Sequence, residues 1–102
     1  MPTLLIYTLN AQRNLVKLRA FIARHNPLAA RRAAQAILQG GGWLKQHPQL
    51  GHPVEDMPPE FRDLVIPFGD SGYVMRYRYV EAENTVYILA IRHQREAEFT
   101  SS

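Results

Sequence analysis

The sequence predicts an α+β domain: an N-terminal strand, an antiparallel helical hairpin, then a three-stranded antiparallel meander. Three observations predict it. Residues 62–95 hold three β-type segments in succession, RDLVI, GYVMRYRYV and VYILAIRHQRE, separated by short turns. Residues 10–46 repeat apolar side chains at helical spacing, with one break at Asn26-Pro27. Residues 3–9, TLLIYTL, form a short apolar run bounded by Pro2 and Asn10. A hairpin with one apolar stripe has to bury it, and the meander offers a face, so two layers follow.

Each element has its own justification. The run at 3–9 reads as a strand, and Asn10 reads as the N-cap of the first helix. Ala11, Leu15, Leu18 and Ile22 follow at a four-three-four spacing that keeps one stripe on one face, with Gln12, Arg13, Lys17, Arg19 and Arg24 mostly off it. Proline disfavours helical geometry at Asn26 yet suits the first turn after it, so one helix ends there and the next begins. Ala30, Ala33, Ala34, Ile37, Leu38, Gly41 and Leu44 line the second helix, and so short a link makes the pair a hairpin.

Gly40-Gly41-Gly42 sits inside that second helix, where each glycine costs roughly 1 kcal/mol against alanine. Either the backbone makes a close approach to the first helix or the sheet, or the helix breaks and resumes at Trp43. The apolar stripe favours a helix running to about Gln46, stopped by His47-Pro48. A proline-rich loop spans 48–60. The three strands then pair through turns at Pro67–Gly72 and Glu81–Asn84, and the tail 97–102 is expected to be loose. Residues 1–102 make one domain.

Charge is divided unevenly. Residues 1–54 contain Arg13, Lys17, Arg19, Arg24, Arg31, Arg32 and Lys45 and no acid; residues 55–102 hold the other five arginines and all nine acids. The halves therefore stand at +7 and −4, which sum to the chain's +3. An acid-free half makes a positive surface that attracts phosphates or an acidic protein segment, unless it is merely a solvated helix face. The absence of cysteine excludes a disulfide framework and thiolate metal sites and fits a reducing cytoplasm. No apolar run approaches the ~20 residues of a membrane span, and no signal-peptide pattern opens the chain, so a cytoplasmic protein is expected.

Catalytic motifs are few. His25, His47, His52 and His93 are far apart and have no helical ligand spacing, so no metal is expected. The glycine triplet lacks the preceding strand and following Lys-Ser/Thr of a phosphate loop, and no cofactor is implied. What remains is Arg62, Tyr73, Arg76, Tyr77, Arg78, Arg92, His93 and Arg95. In the second segment Tyr73, Met75, Tyr77 and Tyr79 alternate with Val74, Arg76, Arg78 and Val80, giving an apolar-aromatic face and a cationic face. Arginines can hold a phosphate bidentately with His93 as acid or base; equally, Tyr and Arg are favoured anchors in protein interfaces. Both uses stay open on residue types alone. The tyrosine rings fit either core or a partner-covered surface, Arg62 either a local carboxylate partner or a ligand, and Trp43 the core.

The order of short motifs resembles the RelE/ParE superfamily of toxins from bacterial type II toxin–antitoxin systems over nearly the whole chain. The matching pieces are Asn26-Pro27-x-Ala29-Ala30-x-Arg32, Leu44-x-x-His47-Pro48-x-x-Gly51, and Arg62-Asp63-Leu64-Val65-Ile66. They continue with Tyr73-Val74-Met75-Arg76-Tyr77-Arg78 and Val86-x-Ile88-Leu89-x-Ile91-x-His93-x-Arg95. The resemblance implies a RelE/ParE-like two-layer fold and the toxin of a plasmid-stabilisation module, neutralised by a cognate antitoxin with an acidic amphipathic segment.

The superfamily offers two activities. RelE-like members cut messenger RNA on the ribosome; ParE-like members inhibit DNA gyrase. Val74 stands where RelE-like members usually have an arginine, and residues 46–61 lack their lysines. The tyrosine-apolar-apolar-x-tyrosine-arginine strand is similar to ParE-like members. The resemblance therefore implies a gyrase inhibitor whose target or antitoxin contacts include Arg62, Tyr73, Arg76, Tyr77, Arg78, Arg92 and His93. The alternative is a ribosome-dependent endoribonuclease acting on mRNA, with Arg62, Arg92 and Arg95 on the phosphate and His93 as acid or base. A third is an inactive, toxin-derived binding module.

Overall fold

A computed structural model of the chain describes residues 3–96 and 99. Strand β1 spans Leu4–Tyr7, helix α1 Leu9–Ala23 and helix α2 Pro27–Gln46. Strands β2 (His52–Pro53), β3 (Phe61–Phe68), β4 (Ser71–Val80) and β5 (Thr85–His93) follow, with a 3-10 turn at Glu81–Glu83. The five strands form one sheet in the order β1-β5-β4-β3-β2, antiparallel except where β1 lies parallel to β5. The α+β architecture and the meander are as the sequence predicts. The two-residue β2, inside the expected loop, is an addition: at His52–Pro53 the chain pairs with Asp63 and Arg62.

One expectation about α1 is corrected. Its N-cap is Thr8, whose hydroxyl accepts from the Ala11 N–H, and Asn10 already lies within the helix. Asn10 is used elsewhere: its side-chain amide donates to the Leu89 carbonyl. That carbonyl is available because β4 and β5 slip register, Tyr77 facing Ile88 and Arg76 facing Ala90, which leaves Leu89 as the extra residue of a bulge. Sequence spacing shows the helix start to within two residues but not the distant bulge, to which both Thr8 and Asn10 donate. Asn26 caps α2 as expected, accepting from the Ala29 N–H ahead of Pro27. Neither helix has an acid in its first turn, so both starts depend on these neutral caps, each worth about 1 kcal/mol.

The core lies between the hairpin and one face of the sheet. Ala11, Ala33, Ile37 and Leu44 from the helices meet Leu64, Ile66, Tyr73, Met75, Tyr77, Val86, Ile88 and Ile91 from the strands. The α2 helix is continuous through Gly40-Gly41-Gly42, and two of the three glycines are explained by contact. A Cβ on Gly40 would stand 2.7 Å from Ile66 Cδ1, and one on Gly41 would stand 2.1 Å from the Tyr7 hydroxyl. The close approach is therefore to the sheet. Gly42 faces open space. Trp43 is a correction: its side chain is largely outside the core, at 44% exposure, because it falls on the outer edge of α2 while Leu44 takes the buried position.

The loose tail expected at 97–102 lies outside the described residues except for Phe99. The Phe99 ring lies 4.4 Å from the Arg76 guanidinium and 4.9 Å from that of Arg92. Among the described residues no helix is long and apolar enough to cross a membrane.

Candidate functional site

Cross-strand register sorts the candidate residues by face. Opposed residues share a face, so Arg62 goes with Tyr77 and His93 with Tyr73, both on the side the hairpin covers. Arg76, Arg78 and Arg92 take the other side, with Asp63, Val65 and Val74. The two-faced strand read from the sequence is thus present, with its tyrosine face inward: Tyr73 is 3% exposed and Tyr77 fully buried. The cationic face is the one the hairpin leaves uncovered.

The arginines are heavily engaged within the chain. Arg76 makes a two-pronged contact with Asp63, Nε to Oδ1 at 2.9 Å and Nη2 to Oδ2 at 3.0 Å. Arg78 is hydrogen-bonded to Glu60 through its Nε. Among the described residues Arg62 finds no carboxylate; its Nη1 donates to the carbonyls of Gly51 at 2.7 Å and Gln49 at 3.3 Å. Arg92 donates to the carbonyls of His93, Gln94 and Glu96 and so closes the turn after β5. Tyr77 works with Arg62 on the loop after α2: its hydroxyl donates to the Pro48 carbonyl at 2.7 Å and accepts from the Gly51 N–H at 2.9 Å. Burial pushes the Tyr77 hydroxyl up from its ordinary value, as it does those of Tyr7 and Tyr73.

The nuclease set does not converge. His93 and Arg62 share a face but sit four residues apart along β4, about 13 Å at the usual strand rise. Arg92 points to the opposite face from His93. Sequence proximity of Arg92 and His93 misleads here because neighbouring strand residues alternate sides, whereas Arg95, two residues on and past the end of β5, stays beside His93.

The structure assembles a different group, at the end of the sheet beside α1. A groove of about 630 Å³ is lined by Asn14, Lys17, Leu18, Phe21 and Ile22 of α1 and by Tyr73, Ile91, His93, Arg95 and Glu96. The His93 ring stands edge-on to Tyr73, 5.5 Å between centroids, and its Nδ1 accepts from the Arg95 N–H. In the neutral ring that bond places the proton on Nε2. Asn14 accepts from the Ile91 N–H through its Oδ1 and ties α1 to β5. Sequence reasoning missed Asn14, Lys17 and Phe21. Their three- and four-residue spacing, beside the apolar stripe of α1, was a legible signal.

Residues 5–98 match the family described as "ParE toxin of type II toxin-antitoxin system, parDE". The chain belongs to that family. The toxin is 40% identical over 87 residues to a protein named Toxin RelE3 of Caulobacter vibrioides, covering 84% of this chain and 88% of the relative. It is 30% identical over 88 residues to Toxin RelE1 of the same organism, covering 86% and 89%. Among solved structures, its fold matches a chain of the RelBE2 toxin–antitoxin complex of Mycobacterium tuberculosis (TM-score 0.64, 24% identity, 91% of this chain and 99% of that one). It also matches a chain of the chromosomal ParDE system of P. aeruginosa (TM-score 0.69, 22% identity, 89% and 95%).

Proposed function

We propose that this toxin arrests growth by binding DNA gyrase and is neutralised by a cognate antitoxin whose acidic amphipathic segment covers part of its surface. The observation that supports binding over cleavage is the engagement of the sheet arginines. Arg62 and Arg92 donate to backbone carbonyls, Arg76 and Arg78 to carboxylates, and Arg62, Arg92 and His93 do not meet around one point. A phosphoryl-transfer site requires converging, available donors at the reacting phosphate. The hairpin supplies the complementary property: its seven cations are all exposed, with no acid among them, and suit an acidic protein partner. The cytoplasm, where gyrase works, is the compartment this reading requires.

A second reading is favoured by a specific observation. Lys17, Tyr73, His93 and Arg95 do meet at the groove, and the Caulobacter relatives bear RelE names. A ribosome-dependent endoribonuclease would have to work there, with Lys17 in place of Arg62 and Arg92. Inducible expression without antitoxin, following the DNA-damage response and bulk translation together, separates the two. Growth arrest with DNA damage and continuing translation is expected. Rapid loss of translation with intact DNA would replace the gyrase reading with the nuclease one.

A further inference from the structure

The sheet face that the hairpin leaves uncovered is not bare. Val74 lies on it, opposite Val65 and Arg92, and is only 5% exposed. On the same face the Arg92 Nε is buried and has no hydrogen-bond partner among the described residues. The ring at this spot is Phe99, whose centroid is 4.4 Å from the Arg76 guanidinium and 4.9 Å from that of Arg92. Register explains how one ring reaches both. Arg76 opposes Ala90, two residues from Arg92, so the two arginines are diagonal neighbours with backbone positions about 7–8 Å apart.

What this pair can bind follows from which parts of each guanidinium are already in use. Asp63 takes the Nε and Nη2 edge of Arg76, and three carbonyls crowd the Nη1 of Arg92. Such bonds lie in the guanidinium plane, where its N–H groups point. The flat faces remain, and a flat cationic face attracts the negative face of an aromatic ring. A phosphate or carboxylate wants a forked edge, and the Nε–Nη2 fork of Arg76 is spent on Asp63. An aromatic ring fits, and Phe99 is an example of the fit. Phe99 is also an imperfect occupant, because it brings no side-chain acceptor to the buried Arg92 Nε–H. A covered donor left without a partner costs stability, so a ring with an acceptor beside it gains at the same place.

We propose that Arg76 and Arg92 form a binding site for an aromatic side chain of a protein partner, and that Phe99 occupies it in the free chain as an internal stand-in. The partner's residue lays its ring on the two guanidinium faces and offers a carbonyl oxygen to the Arg92 Nε–H. Phe99 has to leave first, which makes its contact autoinhibitory: the apparent affinity for the partner falls by the fraction of chains in which the pair is empty. The site lies on the sheet face away from the hairpin. It adds a point of recognition to the binding reading and does not depend on which target is bound.

The test uses the full chain, isotope-labelled for NMR, so that the arginine Nε–H resonances can be followed. Protons near the face of an aromatic ring are shifted upfield, so the Arg76 and Arg92 Nε–H signals are expected to move downfield in Phe99→Ala. Phe99→Leu, which keeps apolar bulk and loses the ring, should do the same, so a folding defect in the smaller variant does not decide the result. N-acetyl-tryptophanamide, which carries a ring and two carbonyls, serves as probe. It is expected to shift both Nε–H signals of Phe99→Ala, and to bind that variant about tenfold more tightly than the native chain. Nε–H signals unchanged in both variants, equal affinity of the native chain and Phe99→Ala, or no binding to Phe99→Ala would each overturn the proposal. Tighter binding of adenosine monophosphate than of the tryptophan derivative would overturn a protein side chain in favour of a nucleobase. Each readout uses the toxin alone, so its failure leaves the gyrase reading untouched. Translation arrest in the expression experiment would remove the gyrase reading and leave this site standing.

Discussion

The helical hairpin and the β3–β5 meander both carry many cations, and they use them in opposite ways. In the meander, Arg62, Arg76, Arg78 and Arg92 each have a partner within the chain, and the first and last hold backbone carbonyls of loops. In the hairpin, Arg13, Lys17, Arg19, Arg24, Arg31, Arg32 and Lys45 are all exposed, and no acid lies in the same half of the sequence. The comparison teaches that an arginine's prominence in a strand pattern says little about its availability. Strand arginines face cross-strand neighbours at about 5 Å, where carboxylates and loop carbonyls can capture them. Outward helix positions meet water. The surface free to meet an acidic partner is accordingly the hairpin and the groove at its side.

The largest expected effect that could break this comparison lies in the meander. Asp63 is buried, and its carboxylate accepts both prongs of Arg76. Asp63→Ala leaves that guanidinium beside the sheet with partial access to water, since its side chain is 28% exposed. A loss of about 2–3 kcal/mol is expected, at the lower end of what breaking a buried pair costs. Urea unfolding, with an unchanged m-value, measures it. The Arg78–Glu60 pair is more exposed, at 44% and 36%, so Glu60→Gln should cost less than about 0.5 kcal/mol. Equal costs for the two variants would mean that burial does not rank these arginines.

Tyr77 comes next. Tyr77→Phe leaves the buried Gly51 N–H without its acceptor and releases the Pro48 carbonyl, for an expected loss of about 2 kcal/mol. The same tyrosines set an alkaline limit. Burial raises the hydroxyls of Tyr7, Tyr73 and Tyr77 in the folded state, so the folded chain holds protons that the unfolded chain releases from about pH 10, the ordinary tyrosine value. Stability from these groups is fully present below that pH and is lost as pH rises toward the folded values. Thermal unfolding temperatures should fall above about pH 10, and less steeply in Tyr77→Phe. A flat profile to pH 11 would show that these hydroxyls are not protected in solution.

Much of the fold was legible because it rests on local signals. The alternation in residues 73–80, the stripe in residues 30–44 and the punctuation at Asn26-Pro27 each point to one structure. The start of α1 was less legible: Thr8 and Asn10 are both good caps, and both are tied to β5 near the Leu89 bulge, contacts that no local spacing records. The candidate site was legible only in part. Tyr73 and His93 line the groove, whereas Arg62 and Tyr77 hold the loop after α2. Lys17 and Phe21 come from a helix whose charged residues look like ordinary solvated positions. Their proximity to β5 follows from packing that no short motif records.

The smallest expected effect is the sharpest for the comparison. Arg31 and Arg32 are exposed on the first half of α2, and among the described residues neither has an ion-pair partner. Replacing both with glutamine should change unfolding free energy by less than about 0.5 kcal/mol, the range of surface changes away from structural features. If the hairpin meets an acidic partner, the double variant should still bind it more weakly, through slower association and a shallower dependence on salt. The corresponding change at Arg76 should do the reverse, lowering stability while leaving the salt dependence intact. A double variant that loses stability like Asp63→Ala would make the hairpin cations structural too and erase the contrast between the two regions. Stability and association moving independently, one with the meander and the other with the hairpin, would place the fold's arginines and the partner's arginines on different elements of the same small chain.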